Sequence, residues 1–343
     1  MPATIRDVAL CAGVSIKTVS RVLNDEPFVR DETRAKVMRA IEELGFVANL
    51  LAKRLAKGQS LAIGLLYHNV HRSSSHYIQD VQQGVLDVAR AAGYATLMHP
   101  CDLTQPSDAC GIVELASQRQ VDGFILTAPA DNARGLLETL DQMSVPFVRL
   151  TPSDRESAWP YVTATDRAGA CHMTRYLLDL GHRRIGYVLG LQETRAAHDR
   201  FAGYRDALAE AGVGYDETLV RFGNDLFDAG RDAAHSLLQI PTRPTAIFCS
   251  NDEMAAGVCV AVHETGLHIP GDVSVAGFDD IALARQIWPP LTTVRQPIYD
   301  IATTATRLLI DLLRHRLPEN LHHEIPTNLV IRASTAGPCH LPT

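Results

Sequence analysis

Lysine is missing from most of this 343-residue chain: Lys17, Lys36, Lys53 and Lys57 are the full complement, and residues 61–343 carry 22 arginines and no lysine. No apolar run approaches the ~18 residues of a membrane-spanning helix, and the opening MPATIRDVA has no basic stretch leading into an apolar core. Neither a membrane span nor a secretion signal is therefore expected, and the expected location is the cytoplasm. The seven cysteines (Cys11, Cys101, Cys110, Cys171, Cys249, Cys259 and Cys339) form an odd set with no C-x-x-C pair and no metal-ligand spacing. That argues against a disulfide framework and a structural zinc and leaves buried or neutral thiols. Also missing are a G-x-S-x-G elbow, a Walker loop, a dinucleotide G-x-G-x-x-G and H-E-x-x-H, and the fourteen histidines show no ligand spacing tied to a carboxylate. Hydrolase, nucleotide and metalloprotease chemistry thus lack their usual carriers, and no enzyme activity, metal or cofactor is expected.

What is present is a globular composition, 46% hydrophobic and 21% charged, long enough for two or three domains of ~150 residues. A net charge of −7 spread evenly would disfavour nucleic acid. It is not spread evenly. Residues 1–60 hold ten Lys/Arg against seven Asp/Glu, so the remainder holds 22 against 32. A small basic module on a larger acidic body fits a polyanion-binding head, because phosphate affinity follows local positive charge.

In that head, Thr4 followed by Asp7 predicts a capped helix over residues 5–11. Gly13 permits a tight turn, Ser15 caps a second helix over 16–23, and a third spans 31–44. Val19, Val22 and Leu23 are expected to face Val8 and Val14 inside, with Val37, Ile41 and Leu44 completing a three-helix core. Lys17 and Arg21, four apart, share the opposite face with Ile16 beside them. A β-branched side chain next to two cations on an exposed helix suits a thymine methyl, guanine edges and phosphates in a major groove, although a solvated basic face gives the same spacing.

The strings TIRDVALCAGVSIKTVSRVLN and VRDETRAKVMRAIEELGFVANLLAKRLAKG resemble the lactose/galactose repressor (LacI/GalR) family. By that resemblance Ile16, Lys17 and Arg21 read bases, while Thr4, Ser15, Thr18, Ser20 and Asn24 position phosphates or cap helices. LLAKRLAKG resembles the family's hinge helix, stable only when two copies pair on DNA, with Leu55 as a minor-groove wedge and Asn49 among the DNA contacts. Ala48-Asn49 departs from the family's usual Pro-Asn. The implied domains are a helix-turn-helix head over 1–48, a hinge and linker over 49–60, and a core over 61–343.

Along the core, strand-length apolar runs (LAIGLL, YATLMH, VDGFILTA, VPFVRL, RIGYVLG, TAIFCSN, DVSVAGF) alternate with amphipathic stretches at 77–92, 108–119, 167–180, 199–211, 227–239 and 252–265. This rhythm predicts an α/β fold of doubly wound parallel sheets. TPSDRESAWP and PPLTTVRQP look like crossings between two lobes, and two lobes imply a cleft. The strings DRAGACHMTRYLLDLGHRRIGYVLG, RFAGYRDAL, AIFCSNDEMAAG, DVSVAGFDDI and PPLTTVRQP resemble the periplasmic-binding-protein-like core of the same family. The resemblance implies a first lobe of 61–163 and 294–323, a second of 164–293 and 324–343, and a cleft in which Asp166, Arg200, Asn251 and Asp279 bind effector hydroxyls. Other roles fit the residues too: Asp166 or Asp252 as helix caps, Arg200 paired with Asp199 or Asp206. Tyr67, His68 and Asn69 stand where a strand's carboxyl end opens on the cleft. Phe227 is the candidate aromatic platform, with Leu226, Trp159, Tyr161 and Trp288 as alternatives. His322-His323 reads as exposed chain rather than a metal pair.

The expected function is a sequence-specific transcriptional regulator, a repressor of carbohydrate uptake or catabolism genes. It binds a pseudo-palindromic DNA operator as a homodimer under a sugar or sugar-derivative effector, without membrane contact. AGPCHLPT at the end adds no heptad helix, so a dimer rather than a tetramer is expected. A transport-type sugar-binding protein shares the core but needs export and no DNA head; a metabolic enzyme carrying a DNA-binding head is the other alternative.

Overall fold

The computed structural model describes residues 3–23, 28–46, 60–68, 75–101, 106–128, 130–156, 158–192 and 194–338. Two compact units meet between Ser60 and Leu61.

In the first unit, α1 (Ile5–Ala12) opens with a capping box. Asp7 N donates to Thr4 Oγ1 at 3.4 Å and Thr4 N donates to Asp7 Oδ2 at 2.8 Å, which satisfies backbone donors that the first turn leaves open. Gly13 ends the helix at φ 63°, a left-handed conformation that costs glycine little. Ser15 Oγ then accepts from Thr18 N at 3.1 Å at the start of α2 (Ile16–Leu23). The third helix, α3 (Asp31–Glu43), carries a Lys36–Glu32 ion pair along its outer face. Val8, Ala9, Val19, Val22, Val37 and Ala40 form the core, with Val14, Leu23 and Ile41 at its margin. Leu44, expected inside, is exposed, because α3 stops at Glu43 and Ala40 fills the inward position.

The second unit begins with β1 (Ala62–His68), α4 (Ser75–Ala91), β2 (Ala95–Cys101), α5 (Pro106–Ser117), β3 (Gly123–Leu126), α6 (Arg134–Gln142), β4 (Phe147–Leu150) and β5 (Tyr161–Ala164). It continues with α7 (Asp166–Asp179), β6 (Ile185–Leu189), α8 (Arg195–Glu210), β7 (Val220–Phe222), α9 (Phe227–Leu238), β8 (Ala246–Cys249), α10 (Asp252–Glu264), β9 (Ser274–Ala276) and α11 (Leu283–Gln286). Then come β10 (Thr293–Arg295), α12 (Ile298–Leu313), β11 (His322–Ile325) and β12 (Asn328–Val330). A six-stranded parallel sheet has the order β11-β5-β4-β3-β1-β2, and a four-stranded parallel sheet the order β7-β6-β8-β9. β10 and β12, which flank β11 in sequence, form an antiparallel pair.

Both faces of each sheet are covered, so the strands read as apolar runs rather than alternations. Ile63, Leu65, Ile125 and Val148 face α4 and α12, whereas Leu66, Phe124, Leu126 and Phe147 face α5 and α6. Of these elements, α6, α11, α12, β5, β7, β11 and β12 were not among the expected runs. The lobe boundaries expected after 163, 293 and 323 fall inside β5, β10 and β11, because strand pairing carries each segment one or two residues further. Cys249 and Cys259 are buried, but Cys11 and Cys110 are exposed free thiols. No helix among the described residues is long and apolar enough to cross a membrane.

Candidate functional site

In the head, α2 presents a basic face. On α2, Val19 and Val22 are buried, which turns Ile16, Lys17 and Arg21 outward; Ile16 is 45% exposed. Thr4 and Ser15 hold their hydroxyls in caps, and Thr18 Oγ1 lies 2.9 Å from Ser15 Oγ. Thr18 and Ser20 are half-buried. Asn24, Asn49 and Leu55 lie outside the described residues.

In the second unit the carboxyl ends of both parallel sheets open onto a cavity of about 480 Å³. This is the ligand edge of an open α/β sheet, and the volume suits a small molecule. Arg200, on α8, is its fixed point. Nε donates to Asp166 Oδ1 at 2.8 Å, one terminal nitrogen donates to the Ser250 carbonyl at 2.6 Å and lies 3.1 Å from Asp279 Oδ1, and the guanidinium stacks 3.9 Å from the centre of the Phe278 ring. The helices must approach closely for this. A Cβ at Gly203 would stand 2.1 Å from the Arg167 carbonyl, so only glycine lets α8 lie against α7 and bring Arg200 to Asp166.

Charge here is strongly perturbed. Burial pulls the Arg200 pKa down, but Asp279, Asp166 and Asp225 outweigh it and the net shift is upward. Burial raises the carboxyl of Asp166 against the pull of Arg200, and raises Asp279 to about 7, with Asp166 and Asp225 adding to the rise. On the opposite wall Asp131 is fully buried and pushed up to about 8 by burial, against the nearby Arg149.

Asp279 sits at φ 111° and Asp280 at φ 58°, both in the left-handed region that costs a non-glycine residue on the order of 1–3 kcal/mol. Several bonds hold them there. Asp279 N donates to the Val294 carbonyl at 2.8 Å, and the Asp280 carboxylate takes Arg295 at 2.7 Å and Arg332 at 2.5 Å. The cluster thereby reaches the segments that cross between the sheets. Asp166 follows the first crossing, Gln296 Nε2 donates to it from the second at 3.5 Å, and Thr327 N donates to Thr165 Oγ1 at 3.0 Å from the third.

Asp166 lies behind Arg200 instead of lining the cavity, while Arg200, Asn251 and Asp279 line it. Asn251, not Asp252, caps α10: its Oδ1 accepts from Met254 N at 2.9 Å and its Nδ2 donates to the Asp225 carbonyl. Asp252 is buried beneath, accepting from Thr293 Oγ1 at 2.5 Å and Ile281 N at 2.9 Å. Asp199 and Asp206 pair with Arg195 and Arg167, leaving Arg200 to the cleft.

Phe227 is not among the lining residues; as the first residue of α9 it packs its backbone against Gly257, and Leu226 lines the cavity in its place. Trp159 packs edge-on to Phe147, Tyr161 stacks on His322 within the sheet, and Trp288 is 82% exposed away from the lining. Tyr67 is half-buried on β1 and does not line the cavity; the His68 side chain and Asn69 lie outside the described residues. The aromatic that does line it is Tyr77 on α4, with Asp131, Asn132, Asp225, Glu253 and Gln296 as further polar groups absent from the expected set. Their only sequence signal is position just beyond a strand's carboxyl end or in the first turns of the following helix.

A helix-turn-helix head joined to a body with a ligand-sized cleft between two parallel sheets defines a ligand-responsive DNA-binding protein. A model described as bacterial regulatory proteins, lacI family, matches residues 4–49, and one described as a periplasmic binding protein-like domain matches residues 174–335. The HTH-type transcriptional repressor PurR of Vibrio campbellii is 34% identical over 338 residues, covering 96% of this chain and 98% of that one. The lac repressor dimer bound to operator and the anti-inducer ONPF superposes with a TM-score of 0.81 at 28% identity, covering 98% of this chain and all of that one. A CelR–cellobiose complex gives 0.72 at 29% identity, covering 97% of this chain and 99% of that one. The chain belongs to the LacI family of bacterial transcriptional regulators. It is a DNA-binding transcriptional regulator with a periplasmic-binding-protein-like body.

Proposed function

We propose that the chain acts as a dimer that reads a pseudo-palindromic operator and represses carbohydrate uptake or catabolism genes, and that a small hydroxyl-rich effector in the cleft controls it. Ile16, Lys17 and Arg21 take the base-reading role on the exposed face of α2. Thr4, Ser15, Thr18, Ser20 and Asn24 act as caps or phosphate contacts, and Asn49 and Leu55 serve at the paired hinge. Arg200, Asn251 and Asp279 contact the effector, Asp166 orients Arg200, and Tyr77 offers a ring face where Phe227 was expected. The chain acts by binding and not by catalysis, and it works in the cytoplasm.

The observation that carries this reading is the Arg200 cluster, which joins the cavity to all three crossings: Asp166 follows the first, Gln296 and Arg295 come from the second, and Thr327 of the third donates to Thr165, the neighbour of Asp166. An effector shifts DNA binding only by favouring one arrangement of the lobes over another. Moving the population from 99:1 to 1:99 requires a ~10⁴-fold preference, which a buried charged cluster bonded to the crossings is suited to supply.

The test is selection of duplexes from a random library by the full-length chain, followed by affinity measurement with and without candidate saccharides. Enrichment of one inverted repeat, with affinity altered at least tenfold by a saccharide, supports the proposal. No preference for any inverted repeat over random duplex, with or without saccharide, sinks it.

A further inference from the structure

We propose that the effector is a polyol bearing a protonated amine, an amino sugar in chemical class, and that sugar phosphates and uronates are rejected; this rests on the reading of the cleft as the effector site. The walls bring together Asp131, Asp225, Glu253 and Asp279, with Asp166 directly behind. Against these carboxyls stand Arg149 beside Asp131 and Arg200 in the Asp166–Asp279 cluster. Arg195 also lines the cavity, but it donates to Asp199 at 2.7 Å; that carboxylate takes Arg155 as well. Among the described lining residues carboxyls outnumber guanidinium groups, and two carboxyl oxygens of the cluster are short of donors. Asp131 Oδ1 accepts from Asn132 Nδ2 at 2.9 Å, while Oδ2, buried at the cavity wall, has no hydrogen-bond partner; Asp166 Oδ2, behind Arg200, has none either.

A buried carboxylate without donors is costly, and with no further cation beside them these carboxyls meet the cost by keeping protons. Asp131 holds its proton up to about 8 and Asp279 up to about 7. Asp131 faces Arg149 from β4 and Tyr77 from α4; Asp279 faces Arg200 from α8, Asp166 from α7, Asp225 before α9 and Asp252 from α10. An ammonium supplies three donors and a positive charge, whereas the hydroxyl it replaces supplies one donor and none. Its binding therefore displaces carboxyl protons. A phosphate or uronate brings negative charge, which raises the cost of ionising these carboxyls instead of offsetting it.

The experiment is isothermal titration calorimetry of the full-length chain at pH 7 with glucosamine, galactosamine, glucose, galactose, glucose 6-phosphate and glucuronate, each in two buffers of different ionisation enthalpy. The expected result is at least tenfold tighter binding of an amino sugar than of its neutral parent, proton release on binding, and no saturable heat from the acidic pair. Asp131→Asn should bring amine and parent to within about threefold; Asp225→Asn gives a second reading should the first variant misfold. Equal affinity for amine and parent, or tighter binding of an acidic derivative, overturns the amine assignment and leaves the cleft as a saccharide site. Absence of heat from all six overturns both.

Discussion

Lys17 and Arg21 stand on the outside of α2 one turn apart, whereas Arg200 lies 8% exposed between Asp166 and Asp279. On the head, cations remain in water and the fold below them needs only Val8, Val19, Val22 and their neighbours. In the cleft the cation is part of the fold: removing it strands Asp166, which water does not reach, and takes the partner from Asp279, whose side chain is 15% exposed at the cavity. Solvent exposure thus separates residues whose loss harms binding alone from those whose loss harms binding and stability together.

The largest effect that sharpens this contrast is at Arg200. Arg200→Ala leaves Asp166 and Asp279 without their buried partner, and breaking a buried pair costs about 3–5 kcal/mol. Urea unfolding of the full chain should show that loss in the transition of the body, together with loss of effector binding. An unchanged midpoint would mean that water enters and solvates the cluster, and the contrast with the head would vanish.

Arg21→Ala should do the reverse. Thermal unfolding should shift by less than about 0.5 kcal/mol, as for most surface changes. Discrimination at one half-site position should fall by about 1–3 kcal/mol, measured as the affinity ratio between operator and single-base variants. Equal weakening on all sequences would reassign Arg21 to a phosphate.

Asp131 tests the contrast by pH. Its carboxyl is raised to about 8 in the folded chain, mainly by burial, above its ordinary value near 4. Folding therefore favours the protonated form. The associated stability is complete below the unfolded value and is lost as pH rises through the interval up to about 8. Asparagine keeps the shape and cannot ionise, so Asp131→Asn should be more stable than the parent at pH 9 by at least ~1 kcal/mol and similar to it near pH 4. Parallel stability curves for the two chains would show that Arg149 already neutralises the group.

The same division governs what the sequence revealed. Thr4, Asp7, Gly13 and Ser15 act on backbone within a few residues, so their roles and the first two helices were legible from local spacing. Arg200 and Asp279 were legible through the resemblance of their flanking strings. Tyr77, Asp131 and Asp225 were not, because each enters the cleft alone from a separate segment and meets the others only when two sheets are aligned. Phe227 failed by one residue: α9 begins there, and the first helical turn directs its backbone to Gly257 while Leu226 keeps an extended conformation at the cavity. The expectation of Asp252 as a helix cap likewise missed by a single position: Asn251 caps α10, and Asp252 finds deeper partners in Ile281 and Thr293.

The smallest expected effect lies at the edge of the head. Thr4 closes the capping box with Asp7, whose carboxyl is held below its usual value by the Thr4 backbone and hydroxyl donors. Thr4→Ala removes the hydroxyl and should cost the head about 1 kcal/mol, with Thr4→Ser restoring most of it. A three-helix unit with six buried apolar side chains has little stability to lose, so operator affinity should fall by a similar factor on every sequence. The salt dependence separates the two roles open to this residue. A cap leaves the slope of affinity against salt unchanged, because no phosphate contact is removed and the fraction of folded heads alone has changed. A hydroxyl that touched phosphate directly would weaken binding even at temperatures where the variant head is fully folded, and that outcome would move Thr4 from the architecture of the head into its DNA-binding face.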